Sequence, residues 1–203
     1  MSKLGSYGFL KYDLFERWSS YWYQIRSVVL TEPNNVLLIG KGNGLVPDYL
    51  RQEGYRVDCA DIQARLMPEI LADVRKLSAH VPAGSFDTVC AFQILEHLPY
   101  ADFIASVLQM AVVSRRHVLI SLPVAGIPLS FRLRIKSHVL SFGRQFRLFR
   151  SRKISSHHQW EIGLKEHPLR KVLADLQAAV NVNKHYICPD NPYHYFFECT
   201  KRT

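Results

Sequence analysis

A mostly parallel sheet, covered by helices on both faces and closed by an antiparallel C-terminal strand, is the α/β fold predicted for this 203-residue sequence. Three observations predict it. Short, nearly unbroken apolar runs alternate with amphipathic stretches, one such run passes directly into alternating glycines, and two β-rich segments flank a proline-containing turn near the C-terminus.

The elements follow in order. The aromatic-rich stretch Tyr12–Leu30 reads as a helix, and Asn35–Ile39, Arg56–Ala60, Phe86–Phe92 and His117–Leu122 read as strands. The first, third and fourth strands are almost continuously apolar, as expected where helices cover both faces of a parallel sheet. Val46–Glu53, Ala101–Val113 and Glu166–Ala178 read as the intervening helices. Ala179–Ile187 and Tyr193–Cys199 are expected to pair antiparallel across the turn at Cys188-Pro189-Asp190-Asn191-Pro192.

A hydrophobic fraction of 48% and a charged fraction of 21% suit one globular core and argue against a disordered chain. We therefore expect a single domain over residues 1–203, in which 124–163 forms a basic, His-rich lid inserted over one end of the sheet. Cys59, Cys90, Cys188 and Cys199 form no C-x-x-C pair, which predicts reduced thiols and no zinc motif. The apolar stretch Val118–Phe131 is interrupted by Pro123, Gly126 and Pro128 and is too short to cross a bilayer. No secretory h-region precedes Val28, so a cytoplasmic location is expected.

The most informative stretch is Val36-Leu37-Leu38-Ile39-Gly40-Lys41-Gly42-Asn43-Gly44, a strand, a glycine turn and a helix start. Gly40, Gly42 and Gly44 let the backbone approach a ligand closely, and the helix start adds free N–H groups. Asp61 ends the next strand 17 residues after Gly44, where a carboxylate accepts hydrogen bonds from ribose hydroxyls. The spacing departs from the G-x-G-x-x-G of dinucleotide sites and favours a nucleoside ligand over NAD.

The glycine run, Asp61, Ala72-Asp73-Val74 and the segment from Phe86 to His97 resemble successive motifs of class I S-adenosylmethionine-dependent methyltransferases, in the small-molecule branch that includes ubiquinone-biosynthesis enzymes. The resemblance covers about residues 35–122 and implies a Rossmann-like three-layer sandwich with S-adenosyl-L-methionine as cofactor. It implies that the glycine loop lies under the methionine part, that Asp61 with Ile62 meets the ribose, and that Asp73 with Val74 meets adenine. Gln93, after the fourth strand, is placed at the methionine end. The family usually has an acid two residues before the first glycine, where this chain has Leu38. A fold that binds but no longer turns over is therefore a competing reading.

His97 follows the fourth strand at the ligand end of the sheet, which makes it a candidate base; the other reading is a helix start. His157, His158, Trp160 and Glu161 sit close together in the expected lid. His158 is a second candidate base, and His157, Trp160 and Glu161 are candidate acceptor contacts; a solvated loop is the alternative. No metal site is expected, because adjacent histidines lack a third ligand.

The net charge of +9 is concentrated in 131–153, where arginines and lysines interleave with Phe131, Leu133, Ile135, Leu140, Phe142 and other apolar residues. Such a run suits peripheral contact with an anionic membrane or a phosphate-bearing partner; a solvated lid is the bland alternative. A small-molecule or lipid-linked acceptor is the expected substrate. RNA methylation is less favoured, because Gln93-Ile94-Leu95-Glu96-His97 is unlike the Asn-Pro-Pro-Tyr type of motif, and Asn191-Pro192-Tyr193 falls before the last strand.

Overall fold

The computed structural model describes residues 13–136, 138–146 and 157–202. Its elements are α1 (Phe15–Val29), β1 (Asn35–Ile39), α2 (Leu45–Gln52), β2 (Arg56–Asp61), β3 (Ile70–Leu71), β4 (Phe86–Phe92), α3 (Tyr100–Val113), β5 (Ser114–Pro123), β6 (Ile127–Ile135), β7 (His138–Phe146), α4 (Leu169–Ala179), β8 (Val180–Ile187) and β9 (His194–Lys201). Short 3₁₀ turns at Ala64–Leu66, Val74–Ala79 and Leu95–His97 join some of them.

The main sheet has the order β3-β2-β1-β4-β5-β9-β8. Strands β1 to β5 run parallel, and β9 is antiparallel to both β5 and β8. This is the expected mostly parallel sandwich, with the antiparallel C-terminal strand inserted between β5 and β8. In β1, Leu37 and Ile39 join one apolar cluster while Val36 and Leu38 join the other, as the period-2 pleat requires. Phe103, Val107 and Met110 of α3 and Val172 and Leu176 of α4 complete the first cluster. Tyr21 and Val28 of α1 and Val46 and Leu50 of α2 complete the second. All seven residues of β4 are buried, so its polar members need partners. Asp87 accepts from the Asn34 N–H (2.8 Å) and from Arg115 (3.0 Å), and the Thr88 and Thr31 hydroxyls meet at 2.7 Å. Asp87 thus ties the turn before β1 to β4. The four cysteines are buried and unpaired with one another.

The expected lid divides into parts of different character. Ile127–Ile135 and His138–Phe146 pair as the antiparallel β6–β7 hairpin, with Phe131 opposite Phe142 and Leu133 opposite Leu140. Residues 147–156, including Arg147, Arg150, Arg152 and Lys153, lie outside the described residues. Residues 160–162 run against the end of β5, where the Ile162 N–H donates to the Pro123 carbonyl (3.0 Å) and the Ala125 N–H donates to the Ile162 carbonyl (2.8 Å). Trp160 and Ile162 are core residues.

His194, opposite Pro123 on β9, is buried, and its Nδ1 has no hydrogen-bond partner among the described residues. Burial pushes its pKa down to about 3. Below the ordinary histidine value of about 6.5, the unfolded chain takes up a proton that the folded chain refuses, so stability falls as pH falls from 6.5 towards 3. At pH 5 the loss from this residue is about 2 kcal/mol relative to neutral pH. Urea unfolding at pH 7 and pH 5 should show that His194→Asn lacks this component; equal pH sensitivity in both proteins would contradict it.

Candidate functional site

The chain winds from β1 through β2 to β3 on one side and then from β4 to β5 on the other, so the crevice lies beyond the C-terminal ends of β1 and β4. Here the glycine turn follows β1. Gly40, Gly42 and Gly44 have φ values of 81°, 58° and 84°, a region that suits glycine. A Cβ on Gly40 would run into the side chain of Ile94, whereas one on Gly42 would meet nothing within 4 Å. Gly44 is the N-cap of α2. A cavity of about 460 Å³ opens over this turn, within the range of small-molecule sites.

Gly40, Gly42, Asp61, Ile62, Asp73, Val74 and Gln93 all border the cavity; Gly44 shapes the turn from behind. Asp61 accepts from the Lys41 N–H (2.9 Å) and the Gln63 N–H (2.8 Å), one on each carboxylate oxygen. Each oxygen keeps capacity to accept once more. Asp73 is differently engaged: it caps the turn through the Arg75 N–H (2.9 Å), and the Arg75 guanidinium bonds both of its oxygens, Oδ1 at 3.1 Å and Oδ2 at 2.6 Å. These bonds hold the Asp73 carboxyl below the usual carboxylate range. Arg75 also reaches Asp102 (3.1 Å) and borders the cavity, so this part of the wall presents an Asp73–Arg75 pair. Gln93 has φ 57°, uncommon for a residue with a Cβ, and its amide donates to the Ser121 hydroxyl (3.2 Å). Leu38 contributes an apolar patch of wall.

Helix α1 roofs the cavity with Arg17, Tyr21 and Gln24, at the i, i+4, i+7 spacing of one helix face. Tyr21 donates to Asp13 (2.9 Å), and the Asn43 amide in the glycine turn donates to both Asp13 (3.0 Å) and the Tyr21 oxygen (3.1 Å). The helix is thereby pinned to the turn it covers. Of the aromatic residues in this helix Tyr21 is buried, whereas Phe15, Trp18 and Trp22 are exposed, and nothing in the sequence names Arg17, Gln24 or Arg75 as wall residues.

His97 and His157 also border the cavity. The His97 Nδ1 lies 2.7 Å from the His157 carbonyl, which can only accept, so the proton is on Nδ1 and Nε2 carries the lone pair. Loss of hydration lowers the His97 pKa below the ordinary histidine value. His158 lies behind it, with the rings 5.0 Å apart, and its Nδ1 is 2.9 Å from Glu161. Tyr193 donates to the same Glu161 oxygen (2.8 Å). Glu96 is 0% exposed, and neither of its oxygens has a hydrogen-bond partner among the described residues. Burial, with a contribution from Glu161, pushes its pKa up to about 8.

Three of the expected roles change in this geometry. Trp160 is not an acceptor contact: it is 1% exposed and packs edge-on against Tyr100 and Phe103, because the indole fills the space between the end of β5 and α3. Glu161 is buried and holds His158, and neither residue borders the cavity, so both act from behind its wall.

No protein-family model matches the sequence, and neither does any curated protein. Solved structures do match. The chain aligns over 98% of its length with 96% of an S-adenosylmethionine-dependent methyltransferase from Clostridium acetobutylicum, at a TM-score of 0.64 and 9% identity. The fold is that of the class I methyltransferases. The 1,6-didemethyltoxoflavin-N1-methyltransferase of Burkholderia thailandensis, solved with 1,6-didemethyltoxoflavin and S-adenosylhomocysteine, covers 91% of this chain with 80% of its own, at a TM-score of 0.58 and 15% identity. The magnesium protoporphyrin IX methyltransferase of Synechocystis, solved with S-adenosylmethionine, covers 92% with 80% of its own, at 0.57 and 14%. At these identities the methyltransferase fold is the shared property.

Proposed function

We propose that this chain is an S-adenosylmethionine-dependent methyltransferase acting on a small or lipid-linked acceptor that it meets at an anionic lipid surface. The observation that carries the reading is the cavity at the β1/β4 switch point, where positive-φ glycines and the half-satisfied Asp61 carboxylate face the same space. The residues fit the cofactor: the glycine turn leaves room beneath the methionine part, Asp61 accepts from ribose hydroxyls, and the Asp73–Arg75 pair borders the adenine end. Bound there, S-adenosylmethionine supplies an electrophilic methyl group that needs alignment with the acceptor more than it needs activation. Gln93 and Ile94 then flank the methionine end, Tyr21 and Gln24 exclude water from above, and His97 presents its Nε2 lone pair to the acceptor.

The lipid surface is read from the β6–β7 hairpin. Gly143 packs its inner face onto the 188–192 turn, where a Cβ would come within 2.6 Å of the Pro189 carbonyl. The outer face carries Leu129, Phe131, Leu133, Leu140 and Phe142, all exposed, with Phe131 at 58% and Phe142 at 54%. Ser141 of the hairpin lines a surface depression together with Phe15 and Trp22 of α1, which are exposed as well. Helix α1 therefore has the cavity on one side and the hairpin on the other. Apolar surface of this extent, in a chain of net charge +9, complements an anionic bilayer.

The test has two readouts. Wild-type protein should sediment with phosphatidylglycerol vesicles, and Phe131→Asp/Phe142→Asp should bind them at least about tenfold more weakly, given roughly 1.5–3 kcal/mol per buried aromatic side chain. Label from methyl-tritiated S-adenosylmethionine should pass into the chloroform-soluble fraction of a bacterial extract. Wild-type protein that stays in the supernatant, or that self-associates through this face instead, overturns the lipid surface.

A further inference from the structure

We propose that Glu96, His97 and His158 form a binding site for one divalent first-row transition-metal ion at the acceptor end of the cavity. A carboxylate oxygen of Glu96 and one ring nitrogen from each histidine lie within 4.8 Å of one another. The His158 Nε2 is 4.0 Å from the Glu96 Oε1. Ligands at roughly 2.0–2.2 Å from a common ion stand about 3–3.5 Å apart, so the site closes with side-chain movements of about 1 Å.

Two further observations point to an ion. The first is how the imidazoles are held. A metal-bound histidine characteristically gives its other ring N–H to a carboxylate or a backbone carbonyl, which fixes the ring and directs the lone pair at the metal. His158 is held this way by Glu161 (2.9 Å), itself steadied by Tyr193, and His97 is held by the His157 carbonyl (2.7 Å). The second is Glu96, fully buried with both oxygens lacking a hydrogen-bond partner among the described residues, and aimed at the His158 ring. A buried carboxylate without a partner is expensive, and buried charges are normally paired or bound to metal.

The donor set is mixed imidazole and carboxylate, which suits Zn²⁺, Fe²⁺, Co²⁺ or Mn²⁺ and is poor for Ca²⁺. Three protein ligands leave coordination positions open, and because His97 borders the cavity while Glu96 and His158 do not, the open side faces the cavity. An acceptor with an oxygen donor would complete the shell there, and the Nε2 lone pair of His97 would then belong to the ion. This last consequence rests on the methyl-transfer reading; the metal site itself does not.

The test uses full-length protein without a polyhistidine tag, stripped with chelator and titrated with Co²⁺ alone, followed by visible absorption and by displacement with Zn²⁺. One equivalent should bind and give ligand-field bands of a nitrogen–oxygen site. Glu161→Gln, which loosens only the His158 support, should weaken binding roughly 10- to 100-fold. Glu96→Gln and His158→Asn should weaken it more, while S-adenosylhomocysteine binding, measured in parallel, stays within about threefold because neither residue borders the cavity. His97→Asn serves if a buried variant fails to fold. Absence of tight, stoichiometric Co²⁺ binding by the wild type overturns the proposal, as does binding that all these variants retain. Failure of S-adenosylhomocysteine to bind, with Co²⁺ binding intact, counts against the methyltransferase reading and leaves the metal site standing.

Discussion

Gly40→Ala should lower the thermal midpoint by roughly 5–15 °C and weaken S-adenosylhomocysteine binding by at least about 100-fold. Two causes add. The φ of 81° imposes about 1–2 kcal/mol on any residue with a Cβ, and the new methyl group collides with the side chain of Ile94, an overpacking worth about 1–3 kcal/mol. For a domain of this size each kcal/mol corresponds to about 2–4 °C. The loss of binding arises because the turn must shift, taking with it the wall beneath the methionine part. Gly42→Ala carries only the φ penalty, since its Cβ meets nothing within 4 Å, and should cost about 1–2 kcal/mol. The double variant Gly40→Ala/Ile94→Ala should recover stability but not fully, because removing the collision leaves the φ strain. Differential scanning calorimetry of the four proteins separates the two causes; equal midpoints for the Gly40 and Gly42 variants would contradict the steric part.

Asp61→Ala is expected to lower affinity for S-adenosylhomocysteine by two to three orders of magnitude. Hydrogen bonds to a charged acceptor are worth about 1.5–3 kcal/mol each, and each Asp61 oxygen, with one backbone donor already on it, keeps room for one of the two ribose hydroxyls that the proposed cofactor would offer. The same carboxylate joins the glycine turn to the loop after β2 through the Lys41 and Gln63 N–H groups, so part of the loss comes from a loosened turn. Asp61→Asn keeps one accepting oxygen and should fall between the wild type and Asp61→Ala. Calorimetric titration of the three proteins measures the series, and near-UV circular dichroism shows whether the turn alone has moved. Unchanged affinity in a folded Asp61→Ala protein would remove the residue from the site.

Much of the frame was legible because local chemistry and tertiary role agree there. The apolar run Val36 to Ile39, the glycines and Asp61 each admit few structures, and β1, the turn and the end of β2 lie where the sequence places them. The hairpin was legible only in part. Apolar residues at 127, 129, 131, 133 and 135 alternate with period 2, but the interleaved basic residues suit a solvated or membrane-facing lid equally well, so the period alone does not single out a strand pair. Trp160 has polar neighbours in sequence that suggest a loop, whereas tertiary packing on α3 decides its environment. Asp73 shows a local effect of the same kind: Arg75, two residues on, takes both carboxylate oxygens. The convergence of Glu96 and His97 with His158 spans about sixty residues of intervening chain, and no local pattern encodes it. The expectation of no metal site rests on adjacent histidines lacking a third ligand; the site proposed above draws Glu96 and His97 from the turn after β4 to His158 instead.

The measurement that bears most directly on the methyltransferase reading is calorimetric titration of the wild-type chain with S-adenosylhomocysteine, with NADH as the control ligand. The predicted result is one equivalent of S-adenosylhomocysteine bound with a dissociation constant on the order of micromolar, and no measurable heat from NADH. A folded protein that gives no heat with S-adenosylhomocysteine at millimolar concentration, or that binds NADH in its place, would contradict it.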